Sequence, residues 1–142
     1  MIIMSVDYGD VRTGIAVSDR LETYAFPVEV INETYQPKVI SRINAISLEK
    51  KPDIIVVGYP KNMDSSEGSR AQKCKDFATE LEKTTGITCV LWDERLTTVS
   101  AHNYLNETNT RGKKRKNVVD AVAATIILQD YLDYRRNNNA WK

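Results

Sequence analysis

The stretch IIMSVDYGDVRTGIAVSD (2–19) decides the fold. Residues 2–6 are almost entirely apolar and stop at Asp7-Tyr8-Gly9-Asp10, the pattern of a buried strand running into a turn. TGIAVS (13–18), small and β-branched, follows at once, so the two runs read as a hairpin. A third apolar run, AFPVEVI (25–31), carries Pro27, which cannot donate to a ladder and belongs at a sheet edge. The period then changes. Val39, Ile40, Ile43, Ile46 and Leu48 recur at helical intervals within 35–50, and DIIVVG (53–58) is the continuous apolar run of a strand covered on both faces. Asp64 and Glu67, three apart, suit the N-cap and N3 of a helix reaching about Glu82. After Gly86, ITCVLW (87–92) reads as a fifth strand, LTTVSAHNYL (96–105) as a short helix, and VVDAVAATIILQDYLDY (118–134) as an apolar helix packed on the sheet. The expected architecture is α/β: three antiparallel strands first, then βα units, giving a mixed sheet with helices on both faces.

A chain of 142 residues, 42% of them hydrophobic, suits a single domain with a core of its own. That domain is expected over 1–136, with a short polar tail over 137–142. No apolar run approaches the ~20 residues of a membrane span, and MIIMSVDYGD lacks a signal-peptide pattern. A cytoplasmic protein without a membrane partner is therefore expected. Cys74 and Cys89 have no metal-ligand spacing and are expected as reduced thiols.

The formal charge of +1 is a cancellation. Residues 1–107 carry 12 basic against 16 acidic side chains, whereas TNTRGKKRKNV (108–118) carries five basic ones and no acid. Arg111, Lys113, Lys114, Arg115 and Lys116 could form a solvated loop. A basic arm for phosphate is the sharper reading, because clustered cations gain affinity by releasing counterions from nucleic acid.

In an open α/β sheet, sites collect beyond the carboxyl ends of the strands. Asp7 and the pair Asp93-Glu94 stand at two such ends, and Asp120 begins the helix expected after the basic loop. Carboxylates from separated elements that converge can hold hard divalent cations, Mg²⁺ or Mn²⁺. Two such ions activate a water and stabilise the leaving oxygen in phosphodiester hydrolysis. Each acid also has a plainer reading, as a turn former or as a helix-dipole partner. Arg12, flanked by Gly9 and Gly14, lies within reach of a phosphate near Asp7. Gly58-Tyr59-Pro60-Lys61-Asn62 leaves the fourth strand towards a helix N-terminus, an anion-binding geometry, and Arg95 follows the acidic pair. Arg12 and Arg95 could equally pair with the adjacent acids. His102, the single histidine, is expected at the surface, and Tyr8 could either pack or stack on a base.

Four segments, DYGDVRTGIAVSD (7–19), VVGYPKNMDSSEG (56–68), WDERLTT (92–98) and KNVVDAVAATIIL (116–128), resemble in order the motifs of the YqgF/RuvX family. These are Holliday-junction-resolvase-like proteins of the RNase H-like superfamily, also described as pre-16S rRNA processing nucleases. The resemblance spans nearly the whole chain and implies an RNase H-like five-stranded mixed sheet. It further implies catalytic, metal-binding acids at Asp7, Glu94 and Asp120. Lys61 and Ser65 stand where the family has Leu and Gly, a departure confined to the loop after the fourth strand.

The function expected is a metal-dependent nuclease on structured nucleic acid, acting on the 5′ end of a 16S rRNA precursor. Arg12, Lys61, Asn62, Arg95, Arg111 and Lys113–Lys116 would hold the backbone. Two alternatives stand beside it: a Holliday-junction DNA resolvase, and a non-catalytic nucleic-acid-binding ribosome-assembly factor. An ATP-binding protein of the actin and sugar-kinase type would need a second copy to close its site. Monomer and homodimer both remain open.

Overall fold

The structure, a computed structural model, describes residues 1–59, 69–93 and 112–139, with side chains over 1–59, 70–93 and 123–137. Five strands form one sheet: β1 (Ile3–Asp7), β2 (Arg12–Ser18), β3 (Ala25–Asn32), β4 (Ile54–Tyr59) and β5 (Thr88–Asp93). Their order is β3-β2-β1-β4-β5. The β1–β2 and β2–β3 pairs are antiparallel, and the β1–β4 and β4–β5 pairs are parallel. The expected mixed sheet is therefore present. Pro27 lies on the edge strand, where the register steps from Ile15↔Glu29 to Ala16↔Pro27 and leaves Val28 as the extra residue of a bulge.

Helices α1 (Gln36–Lys50) and α2 (Ser69–Thr85) cover one face, and α3 (Gly112–Asn139) covers the other. Met4, Val6, Ile15, Ile55 and Val57 pack with Val39, Ile43, Phe77 and Leu81 on the first face. Ile3, Ala16 and Val56 meet Ala124, Ile127, Leu128 and Leu132 on the second. Small residues there let α3 sit close: the Ser5 hydroxyl, fully buried, donates to the carbonyl of Ala124 at 2.6 Å. Gln129 ties the same helix to the β2–β3 connection, accepting from the Ala25 amide and donating to the Thr23 carbonyl, both at 3.0 Å. Gly86, at φ +72°, ends α2 in the left-handed region that glycine enters at little cost.

Three expectations change. Leu48 is 70% exposed, while Ser47 is buried and turns its hydroxyl to the Asn44 carbonyl at 2.8 Å. At 100° per residue Leu48 falls off the stripe that Ile43 and Ile46 define. The basic segment is also not a loop throughout. Helix α3 starts at Gly112, six residues before the expected start, so Lys113–Lys116 belong to its first turns and Asp120 lies well inside it. Lysine and arginine are strong helix formers, and no proline intervenes. The helix also continues to Asn139, three residues into the stretch expected as a tail. The proposed capping pair Asp64/Glu67, the short helix over 96–105 and His102 lie outside the described residues. No helix among the described residues is long and apolar enough to cross a membrane, and neither Cys74 nor Cys89 is in a disulfide.

The two apolar helix positions should separate sharply in urea unfolding. Phe77→Ala is expected to cost about 3–5 kcal/mol, and Leu48→Ala to stay within about 0.5 kcal/mol of wild type.

Candidate functional site at the carboxyl end of the sheet

Because β1, β4 and β5 run parallel, their carboxyl ends lie on one rim. Val6 pairs with Val57 and Val57 with Leu91, so Asp7, Gly58 and Trp92 make the next row. Side chains alternate along a strand. Ile3 and Ser5 face α3, whereas Met4, Val6 and Tyr8 join the α1/α2 side. Asp7, half-buried at the end of β1, therefore belongs to the α3 face. On β5, Cys89 and Leu91 pack towards α1/α2, and Val90 and Trp92 towards α3. The same alternation puts Asp93 on the face opposite Asp7.

Arg12 opens β2 on that rim. Asp7 is paired with Gly14, and Arg12, two residues away along β2, shares the α3 face. Such diagonal neighbours stand roughly 7–8 Å apart. Gly14 itself contributes no side chain between them.

Helix α3 runs antiparallel to β1, since Ile3 belongs with Ile127, Leu128 and Leu132 while Ser5 meets Ala124. Position 120 lies one turn before Ala124, about 6 Å down the helix axis. Asp7 lies two residues beyond Ser5, about 6.7 Å along the strand. The backbone thus brings position 120 level with Asp7, and Lys113–Lys116 lie ~6–10 Å further along the axis at the same end of the molecule. Those side chains, like Glu94, Lys61, Asn62, Arg95 and Arg111, lie outside the described residues. Among the described residues no group of three or more His, Cys, Asp or Glu side chains comes together.

The turn after Asp7 is held from α2. Gly9 is forced by sterics, since a Cβ there would run into the Arg12 carbonyl oxygen. Tyr8 packs rather than presenting its ring: it is buried and stacked on Phe77, with centroids 4.0 Å apart and planes 6° from parallel. Arg70 donates to the Tyr8 carbonyl and, at 2.8 Å, to Asp10, which also accepts from Lys73 at 3.0 Å. The hydrogen bond from Lys73, followed by the charge of Arg70, holds the Asp10 carboxyl below its ordinary value of 3.8. Sequence reading did not single out Arg70 or Lys73. They are 60 and 63 residues from Asp10, and no spacing rule links a helix position to a turn that distant.

The RuvX family model, described as "Holliday junction resolvase", matches residues 1–134. A relative from Agathobacter rectalis is 44% identical over 143 residues, covering 99% of this chain and all of its own length. One from Halothermothrix orenii is 45% identical over 135 residues, covering 95% of this chain and 96% of its own. Both bear the name "Putative pre-16S rRNA nuclease". Among solved structures, Thermus thermophilus RuvC in complex with a Holliday junction substrate superposes with a TM-score of 0.62 at 12% identity, over 96% of both chains. The fowlpox virus resolvase, with junction DNA, gives 0.54 at 11% identity, over 95% of this chain and 99% of that one. At such identities the likeness is one of fold.

Asp10 has a depressed folded pKa, so its pairing stabilises above the unfolded value of 3.8 and is lost as pH falls through the folded value. The carboxylate is largely exposed, which limits the effect. Asp10→Asn should therefore cost about 0.2–1 kcal/mol at pH 7 and nothing once both states are protonated, as read by thermal melts from pH 7 down to about pH 2.

Proposed function

The chain belongs to the RuvX family, and on that premise we propose that it is a divalent-metal-dependent nuclease that cleaves phosphodiester bonds in structured nucleic acid. Its substrate in this reading is the 5′ end of a 16S rRNA precursor, the role that the names of its relatives point to, and it works in the cytoplasm. The observation that carries the reading is the placement of Asp7 on the α3 face of the strand rim, level with position 120 and diagonal to Arg12.

Asp7, Glu94 and Asp120 are the acids assigned to the metal. Carboxylate oxygens are the hard donors that Mg²⁺ and Mn²⁺ take, and the donor set fits. Glu94 is preferred over Asp93 because β5 alternation assigns Asp93 to the face opposite Asp7. A pair of such ions, when bound, supplies an activated water and charge stabilisation at the leaving oxygen. The chain itself binds and orients the substrate. Arg12 lies where a phosphate beside Asp7 would need a planar donor fork. Lys61, Asn62 and Arg95 follow the ends of β4 and β5, the next strands on the same rim. Arg111 and Lys113–Lys116 extend the positive charge at the start of α3. Cations are unfavourable there, by about 0.3–1 kcal/mol each, unless an anion is nearby. A bound polyanion supplies that anion.

Asp7→Asn is expected to abolish Mn²⁺-dependent cleavage while nucleic-acid affinity persists. A panel of rRNA precursor, four-way DNA junction and single strands should show cleavage of the precursor. Junction cleavage alone would favour resolvase activity, and absence of cleavage on every member would favour the non-catalytic assembly role.

Replacing Lys113, Lys114, Arg115 and Lys116 together by alanine should weaken binding and flatten its dependence on log salt. The slope should fall by about 0.7–0.9 for each phosphate that is no longer neutralised, as measured by fluorescence anisotropy across a salt series.

A further inference from the structure

Beyond Asp7 the β1 ladder ends, and the carboxylate's aim depends on how the next three residues are held. In that segment the Gly9 amide donates to the Thr13 hydroxyl at 3.5 Å, and one side chain grips both Tyr8 and Asp10. Arg70, in the first turn of α2, donates through Nη2 to the Tyr8 carbonyl and through Nη1 to Asp10 Oδ1. Its guanidinium carbon lies 5.4 Å from the centroid of the Tyr8 ring, which is stacked on Phe77, also of α2, and accepts at its hydroxyl from Gln36 of α1. Among the described residues Lys73 reaches Asp10 and not the Tyr8 carbonyl. The peptide following Tyr8 is thus fixed at its carbonyl by a charged donor and at its ring by stacking. On its far side Gly9 is pressed against the Arg12 carbonyl.

We propose that Arg70 is the positioning residue for Asp7: the β1 pairing sets the face of the carboxylate, and Arg70 fixes the backbone immediately beyond it so that the carboxylate holds one aim on that face. The inference rests on the assignment of Asp7 to the metal. Arginine is required because two acceptors at a fixed separation call for a planar fork, which the single ammonium of lysine does not provide. The same hydrogen bonds make α2 a support for the site, although α2 packs on the opposite face of the sheet from α3.

The test uses the full chain as wild type, Arg70→Ala, Arg70→Lys and Lys73→Ala, with circular dichroism confirming that each folds. Three readouts are taken: metal-free amide hydrogen exchange over residues 8–12, Mn²⁺ affinity by electron paramagnetic resonance, and single-turnover cleavage beside metal-free nucleic-acid affinity. Arg70→Ala should speed exchange in the turn about 10-fold. It should weaken Mn²⁺ binding about 10- to 100-fold, as removing a group that supports a metal ligand does, and slow cleavage with nucleic-acid affinity within about twofold. Arg70→Lys should lie between Arg70→Ala and wild type, and Lys73→Ala close to wild type. Unchanged turn exchange and Mn²⁺ affinity in Arg70→Ala would overturn the proposal. So would a loss of nucleic-acid affinity with Mn²⁺ binding intact, which would make Arg70 a group that binds the substrate backbone instead. Wild-type protein that binds no Mn²⁺ would refute the metal assignment of Asp7 and the positioning role with it; unchanged exchange beside intact wild-type Mn²⁺ binding would refute the role of Arg70 alone.

Discussion

Between β2 on one edge and β4 on the other, β1 has Ile3, Met4, Ser5 and Val6 wholly out of solvent. Both edges are hydrogen-bonded and both faces are covered, so no register slip is tolerated: a shift of one residue would exchange the α1/α2 face for the α3 face. Met4 and Val6 would leave the larger core, and the Ser5 hydroxyl would lose the Ala124 carbonyl. That constraint determines which face Asp7 occupies. It also sets the height of α3, because Ser5 and Ala124 lock helix to strand at one point and the regular rise of each element carries the alignment to the rim.

The charge distribution follows from the same geometry. A net charge of +1 spread evenly would be unremarkable for any partner. Antiparallel packing of α3 against β1 instead brings the start of the helix, with Lys113–Lys116, to the end of the sheet where Asp7 stands. Acidic strand ends and a basic helix start lie at one end of the fold. At the other end Glu22 takes Arg135 at 2.7 Å and the N-terminal ammonium at 3.4 Å, tying the far end of α3 to the β2–β3 connection. Near its C-terminus Arg135 complements the helix dipole and is paired with Glu22.

Strand positions were legible because apolar runs of this length bounded by glycine, proline and acids have few other uses. Pro27 announced an edge, and an edge is where β3 lies. Helix faces were less legible. Leu48 looked like core by composition, but the 100° step decides burial, and Ser47 holds that place with its hydroxyl satisfied locally. The start of α3 was misplaced because a run of cations resembles a solvated loop in composition while each of its residues favours helix. Tyr8 could not be assigned from its neighbours in sequence, since its stacking partner is Phe77, 69 positions away.

What the amino-acid sequence determined alone was local or periodic: which runs are strands, which are helices, and which acids stand at strand ends. Family motifs in fixed order added the architecture that those elements share. The tertiary structure decided what depends on contacts between distant segments. It placed Asp93 on the face away from Asp7, brought position 120 level with Asp7, and set Arg70 of α2 on the turn that follows Asp7. The physical reason is the difference in range. Propensity and periodicity act over a few residues and are written in consecutive letters, whereas facing, height and cross-element hydrogen bonds exist only after the sheet has paired and its two faces have been covered.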